Sequence, residues 1–447
     1  MKSIFKSILA LAMLTLFANI NLATGQTVNM NRWIELTSGN IGVTKQFKIS
    51  ADSTNTGVRL VCGTLDTTIT VGTDWTNFSV YTLNYAIKIY GNITGFECNN
   101  NVLTGLNVSQ NTALTTLNCK SNSLSSLNVS TLTALEELIC EFNNLNVLNL
   151  SGCTALKKLS CSGNNLASLN ISNCTALIYL ECFVNNLTSL DLNNCTALKE
   201  LDCAINDLTS LDLHNCTVLE NINCEDNDIT SLNLNNCANL EELVCFTNNL
   251  SSLDLSSCTS LKILRCETNN ISSIKISSSD SLRLFRCYDN NLSACGLDSI
   301  FHQLPIRSVD NKGEIMIKYN SETNPGAYSC RDTIATNRNW RVLDRTNDIV
   351  NTNYECPYFT FGSDVVKITT YHINAQIYPN PVSNNLYIEC ENDIKSIEIY
   401  DALGRKIISK EGHSDKTSID FSNLGNGVYI LKLRVAEGTG EFKVIKN

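Results

Sequence analysis

Residues 195–215 read CTALKELDCAINDLTSLDLHN, and residues 216–236 read CTVLENINCEDNDITSLNLNN. The second phrase repeats the first at an interval of 21 residues. Working outward, one cysteine column runs Cys98, Cys119, Cys140, Cys161, Cys182, Cys203, Cys224, Cys245, Cys266 and Cys287. A second runs Cys153, Cys174, Cys195, Cys216, Cys237 and Cys258. An asparagine follows each first-column cysteine by three residues, from Asn101 to Asn290 without a gap. Leucines fill the columns between them, as at Leu198, Leu201, Leu208, Leu211 and Leu213. In LKELDCAI the apolar Leu201 and Cys203 alternate with Glu200, Asp202 and Ala204, which is strand periodicity. A repeat of this length builds a stack in which each turn covers the core of its neighbour.

The unit LxxLxCxxNxLxxLxLxxCTx resembles the leucine-rich repeat, in its short bacterial 21-residue class, over residues 93–297. The resemblance implies a mainly β fold, a right-handed solenoid of some ten turns with one short parallel strand each and little helix. It also implies adhesion or host interaction, without naming a ligand. The LxxLxL half of each turn predicts an extended or irregular outer face. Open ends of such a stack expose core and strand edges, so caps are expected. Residues 26–92 read as a β-rich N-terminal cap, with WIELTS, KQFKIS, VRLVCG and TTITV as short strands. Residues 298–356 read as modified α/β terminal repeats, with GLDSIFHQLP as a helix and GEIMIKYN as a strand.

The two ends of the chain carry addresses. Lys2 and Lys6 precede an apolar run from Ile8 to Phe17, with Ala23 and Gly25 at cleavage-site spacing. Residues 1–25 therefore read as a signal peptide, and the run is too short to span a bilayer. No later segment predicts a transmembrane span. After a linker over residues 357–374, residues 375–447 alternate strand patterns with Gly and Asn turns, a small β-sandwich. Pro379-Asn380-Pro381, Gly404-Arg405, Gly427-Val428-Tyr429, Lys443 and Lys446 resemble the C-terminal sorting domain of the type IX secretion system of Bacteroidetes-type bacteria. That resemblance implies the secretion machinery as a partner, and a secreted or cell-surface destination.

The columns read as structure. A buried cysteine packs as a small hydrophobe. Stacked cysteines present parallel Cβ vectors, whereas a disulfide needs a dihedral near 90°. A bridge among Cys295, Cys330 and Cys356, outside the columns, stays open. An inward asparagine can bond the backbone groups exposed where each turn leaves its strand. The threonines after the second-column cysteines (Thr154, Thr175, Thr196, Thr217 and Thr259) are expected to satisfy a turn similarly.

Catalysis finds no support. His214, His302, His372 and His413 are scattered, and no nucleophile motif or phosphate loop occurs. No CxxC pair points to zinc, and CEDNDIT (224–230) lacks the spacing and glycine of a calcium loop. No cofactor or metal is expected. The formal net charge of −10, without a basic stripe, argues against nucleic acid. The variable outward positions beside the first cysteine column remain: Phe142, Tyr179, Phe183, Val184, Ile205, Val244, Phe246 and Tyr288. Apolar groups on a solvent-facing strand surface predict a ligand-binding concave face. The expected ligand is a protein or a glycan at a cell surface; the alternative is a structural component that binds copies of itself.

Overall fold

The computed structural model describes residues 27–277, 280–319, 322–344, 375–390, 393–401, 406–412, 414–435 and 438–446. The expected signal peptide, the linker, Cys356, and Gly404 with Arg405 lie outside the described residues. The chain divides into two compact units, Met1–Phe359 and Thr360–Asn447.

The larger unit is a parallel-strand solenoid. Ten successive strands, from Ile93–Glu97 and Thr116–Asn118 to Ile263–Arg265 and Leu284–Arg286, form one continuous sheet. Each repeat position pairs with the same position one turn later, as in Tyr179↔Glu200↔Asn221 and Leu180↔Leu201↔Ile222. The register follows from the columns: slipping by one residue would turn Leu and Cys to the solvent. The second half of each turn is mostly irregular, with short parallel pairs such as Ser210–Asp212 against Ser231–Asn233.

The core is the leucine and cysteine columns, all sixteen column cysteines being buried thiols. Burial pushes the Cys119, Cys161 and Cys224 thiols up to about 12, and those of Cys174 and Cys237 to about 11. Thiolate, the reactive form, is therefore suppressed. Outside the columns Cys295 is disulfide-bonded, whereas Cys330 is a buried thiol.

The asparagine column holds the turns. The Asn227 amide donates to Cys203 O at 3.1 Å, in the preceding turn, and to Cys224 O at 3.2 Å in its own. Its Oδ1 accepts from Leu208 N at 3.0 Å. Asn143, Asn164, Asn185, Asn206, Asn248, Asn269 and Asn290 repeat this pattern. The threonines do less than expected: Thr154, Thr175, Thr196 and Thr217 lie exposed, and only Thr259 of the five reaches across, to Ala238 O at 3.3 Å. The outer turns are satisfied by the Asn/Asp column instead. Asp191, Asp212 and Asp254 each accept from the N–H two residues on, at 3.0–3.2 Å.

Both ends are closed. At the N-terminal end, Thr44–Ala51 and Thr76–Tyr81 continue the solenoid sheet in antiparallel pairing. A second, five-stranded antiparallel sheet includes Trp33–Ser38 and recruits Leu103–Asn107 from the first repeat. Asn101 bonds Gln46 N at 3.0 Å and Gln46 O at 2.6 Å, so the cap strand takes the place of a missing turn. At the other end the strand Gly313–Tyr319 extends the sheet, and helix Ala294–Gln303, capped by Ser293, covers the last turn. Asn324 closes the ladder there, donating to Cys287 O at 2.8 Å and accepting from Leu292 N at 3.1 Å.

The smaller unit packs a three-stranded and a four-stranded antiparallel sheet around Val382, Leu386, Ile397, Phe421, Tyr429 and Leu431. It is the small β-sandwich expected from the alternating pattern.

The ladder bears directly on stability. Asn227→Ala leaves the Cys203 and Cys224 carbonyls and the Leu208 N–H short of a partner, at about 1–3 kcal/mol for each group left unsatisfied. A net loss of about 2–4 kcal/mol is expected by urea denaturation. A loss below about 0.5 kcal/mol would show that the column is ornamental.

Candidate functional site

Nine of the ten repeat strands are only three residues long, and the first-column cysteine already lies past the strand end. The chain then turns. The residue two after each cysteine has a left-handed backbone in all ten turns: Asn100, Ser121, Phe142, Gly163, Val184, Ile205, Asp226, Thr247, Thr268 and Asp289, with φ from 50° to 64°. Its N–H bonds the next turn, as in Val184 N to Ala204 O at 3.0 Å and Ile205 N to Glu225 O at 2.9 Å. Phe142, Val184 and Ile205 are thus corner residues, and not the strand residues that alternation predicts. Alternation cannot mark where a strand ends, because the corner keeps the same inward cysteine and asparagine.

These corners form an apolar ridge. Phe142 is 48%, Val184 40% and Ile205 44% exposed. The one glycine of the column, Gly163, lies under the Phe142 ring: a Cβ there would stand 2.6 Å from Phe142 Cδ1. The ring therefore lies over the corner of the next turn. A β-branched residue at positive φ is disfavoured, at about 1–2 kcal/mol. Val184 and Ile205 accept that cost and leave apolar surface in water as well.

The other expected site residues divide. Tyr179 is exposed on its strand. Phe183, Phe246 and Tyr288, each just after a cysteine, are half-buried. The Arg265 guanidinium lies 4.3 Å from the Phe246 ring centre, so Phe246 is partly covered by its neighbour. Val244, expected among the solvent-facing residues, is only 8% exposed. It does point away from the core, but in register it sits between Asn223 and Arg265, whose longer side chains flank it.

Beside the ridge, on the strand face, lies a groove of about 640 Å³. Its polar walls include Glu181, Glu200, Asp202, Glu225 and Glu242, with Lys158 and Arg265 toward its two ends. Sequence reasoning overlooked this acidic floor. Its signal exists only after the turns are aligned, when acids three before, one before and one after the cysteine fall side by side. Tyr179 and Val244 line the same groove. Burial, aided by Glu181, holds the Asp202 carboxyl above its ordinary range, and burial likewise raises Glu225. Ser160 Oγ donates to Glu181, and Asp202 Oδ1 accepts from Ala204 N at 3.2 Å.

Neighbouring charges behave differently. Glu136–Lys157 at 2.9 Å and Glu241–Lys262 at 2.7 Å are the cross-turn pairs expected from the register, and Glu220–Lys199 at 2.6 Å adds a third. Such exposed pairs contribute only tenths of a kcal/mol. Among the described residues no group of histidine, cysteine and acidic side chains is placed to hold a metal.

Residues 376–447 match the family described as the secretion system C-terminal sorting domain. Comparison with curated proteins gives no match. The solenoid is similar to the functional domain of InlJ from Listeria monocytogenes, described as including a cysteine ladder. Identity is 20%, TM-score 0.40, and coverage 79% of this chain and 91% of that one. It is also similar to YopM from Yersinia pestis, at 24% identity and TM-score 0.42, covering 53% of this chain and 64% of that one. YopM from Yersinia enterocolitica follows at 23% and 0.42, with 50% and 46% covered. The class is thus a leucine-rich-repeat solenoid carrying a type IX sorting tail. The tail implies the secretion machinery as a partner and export to the cell surface or beyond. Among the described residues no helix is long and apolar enough to cross a membrane.

The raised Asp202 carboxyl has a thermal signature. Between the unfolded value of about 3.9 and the raised folded value, the folded state binds more protons, so stability falls as pH rises through that window. Asp202→Asn keeps an accepting oxygen and removes the cost. The variant is expected to melt above the parent at pH 7 and level with it near pH 3. A lower melting temperature at pH 7 would contradict the burial argument.

Proposed function

We propose that the protein is a binding protein and not an enzyme, exported through a signal peptide and the type IX route, and that its concave face recognises a macromolecule at a cell surface. One observation carries this reading. Val184 and Ile205 are apolar, exposed and β-branched at a left-handed corner, a combination that folding disfavours twice. Glycine or asparagine would serve the turn better. Retaining costly side chains on one surface is what a binding site does. The half-buried acids of the adjacent groove, Asp202 and Glu225, point the same way, since they too lower stability at neutral pH.

Adhesion to another cell or to a host is the role that fits such a face on an exported chain. The alternative, a surface component that binds its own copies, is opposed by the charge of −10 and by an acidic groove that would meet its like.

The test uses the full chain on glycan and cell-surface-protein arrays, with Val184→Asn/Ile205→Asn as the variant. Asparagine tolerates positive φ, so the variant should melt within a few degrees of the parent. Binding of any array ligand should fall at least tenfold. A ligand held equally by parent and variant would move the site away from this ridge. For export, deletion of residues 376–447 should leave the protein in the periplasm of its own host. Delivery of the truncated chain to the surface would remove the tail from the export step.

A further inference from the structure

The carboxylates of the solenoid strand face sort into two sets. Glu97, Glu136, Glu137, Glu141, Glu220, Glu241 and Glu267 each have a cation as partner: Lys48, Lys157, Lys158, Lys120, Lys199, Lys262 and Arg265. Glu181, Glu200, Asp202, Glu225 and Glu242 have none within ion-pair distance among the described residues, and these five are the acids that line the groove. The two cations of the groove are already engaged: Lys158 with Glu137 at 3.4 Å, and Arg265 with Glu267 at 3.0 Å. The unmatched charge is therefore confined to one place, while the rest of the sheet neutralises itself turn by turn.

Apolar groups border this charge. Tyr179 stands in the groove wall, and the Val184–Ile205 ridge follows the same turns as Glu181 and Asp202. The groove spans the turns from that of Lys158 to that of Arg265, five strand steps, or about 24 Å at 4.8 Å per step. An extended chain rises about 3.3 Å per residue, so about seven residues fill that length.

Resting on the concave-face reading, we infer that the groove binds an extended protein segment in which lysine or arginine alternates with apolar residues. The cations of the segment meet the five unpaired carboxylates, and its apolar side chains lie on Tyr179, Val184 and Ile205. The long stem of lysine or arginine suits this site, because the stem can cover apolar surface while its head reaches an acid. Partly desolvated carboxylates gain more from an incoming cation than exposed ones do, since water screens them less. A neutral glycan offers no charge for the five acids, and an anionic one is repelled.

The test uses the full chain and three fluorescein-labelled eight-residue peptides, alternating Lys with Val, Lys with Ser, and Glu with Val, read by anisotropy. The Lys/Val peptide should bind. The Lys/Ser peptide should bind at least tenfold more weakly, and the Glu/Val peptide not at all. Asp202→Asn/Glu225→Gln should weaken Lys/Val binding at least tenfold, as should raising salt from 50 to 500 mM. Glu241→Gln, outside the groove, should leave it within twofold. Melting curves confirm that each variant is folded. Absence of Lys/Val binding, equal binding by the Asp202/Glu225 variant, or equal affinity for Lys/Ser each overturns the inference. If array ligands are lost on Val184→Asn/Ile205→Asn while Lys/Val never binds, the concave-face reading stands and only the basic partner falls. If neither ridge nor groove variant affects any ligand, both readings fall.

Discussion

Every turn of the solenoid depends on one buried amide. An asparagine side chain donates to the carbonyl of its own cysteine and to that of the cysteine one turn earlier, and accepts an N–H from the earlier turn. Without it, the chain could not leave a three-residue strand and turn inside a packed core, because the backbone groups there would have no partner. The asparagine fixes the corner, the corner fixes the left-handed residue before it, and that residue decides which side chains reach the solvent. The apolar ridge is therefore a consequence of the ladder: the same bonds that stack the turns place Val184 and Ile205 at the surface.

The ladder also explains the ends. A repeat array has no natural stop, and its last asparagines would face water or an empty edge. Here Gln46 of the cap strand supplies both a donor and an acceptor to Asn101. Asn324 supplies the matching group beyond the last repeat. Between these ends the cysteine columns act as packing. Their thiols are buried and held protonated, so an exported protein can carry them without cross-linking its own core.

Charge is distributed by the same geometry. Equivalent positions in adjacent turns stand side by side, so a Glu-to-Lys change from one repeat to the next creates a pair. Where the change is Glu181 to Asp202, like charges meet instead. Folding gains nothing from that arrangement, and Glu181 adds to the burial that already raises the carboxyl of Asp202. The sheet is thus divided into turns whose charges pair and a groove whose acids do not.

The sequence by itself determined the solenoid, its sheet register and its sandwich-shaped tail. A period of 21 residues brings identical positions into contact whatever the details, and two-residue alternation settles which of them point inward. It also determined that Phe142, Tyr179, Val184 and Ile205 would be exposed. Only the tertiary structure decided the rest. Val244 is covered because long neighbours flank it in register, and Phe246 because a guanidinium reaches over its ring. Asn324 closes the ladder although it stands out of phase with the repeat, since space and not spacing puts it beside Cys287. The acidic groove is a property of six turns at once. No single repeat contains it, and charge pairing across turns is settled only when the strands are side by side.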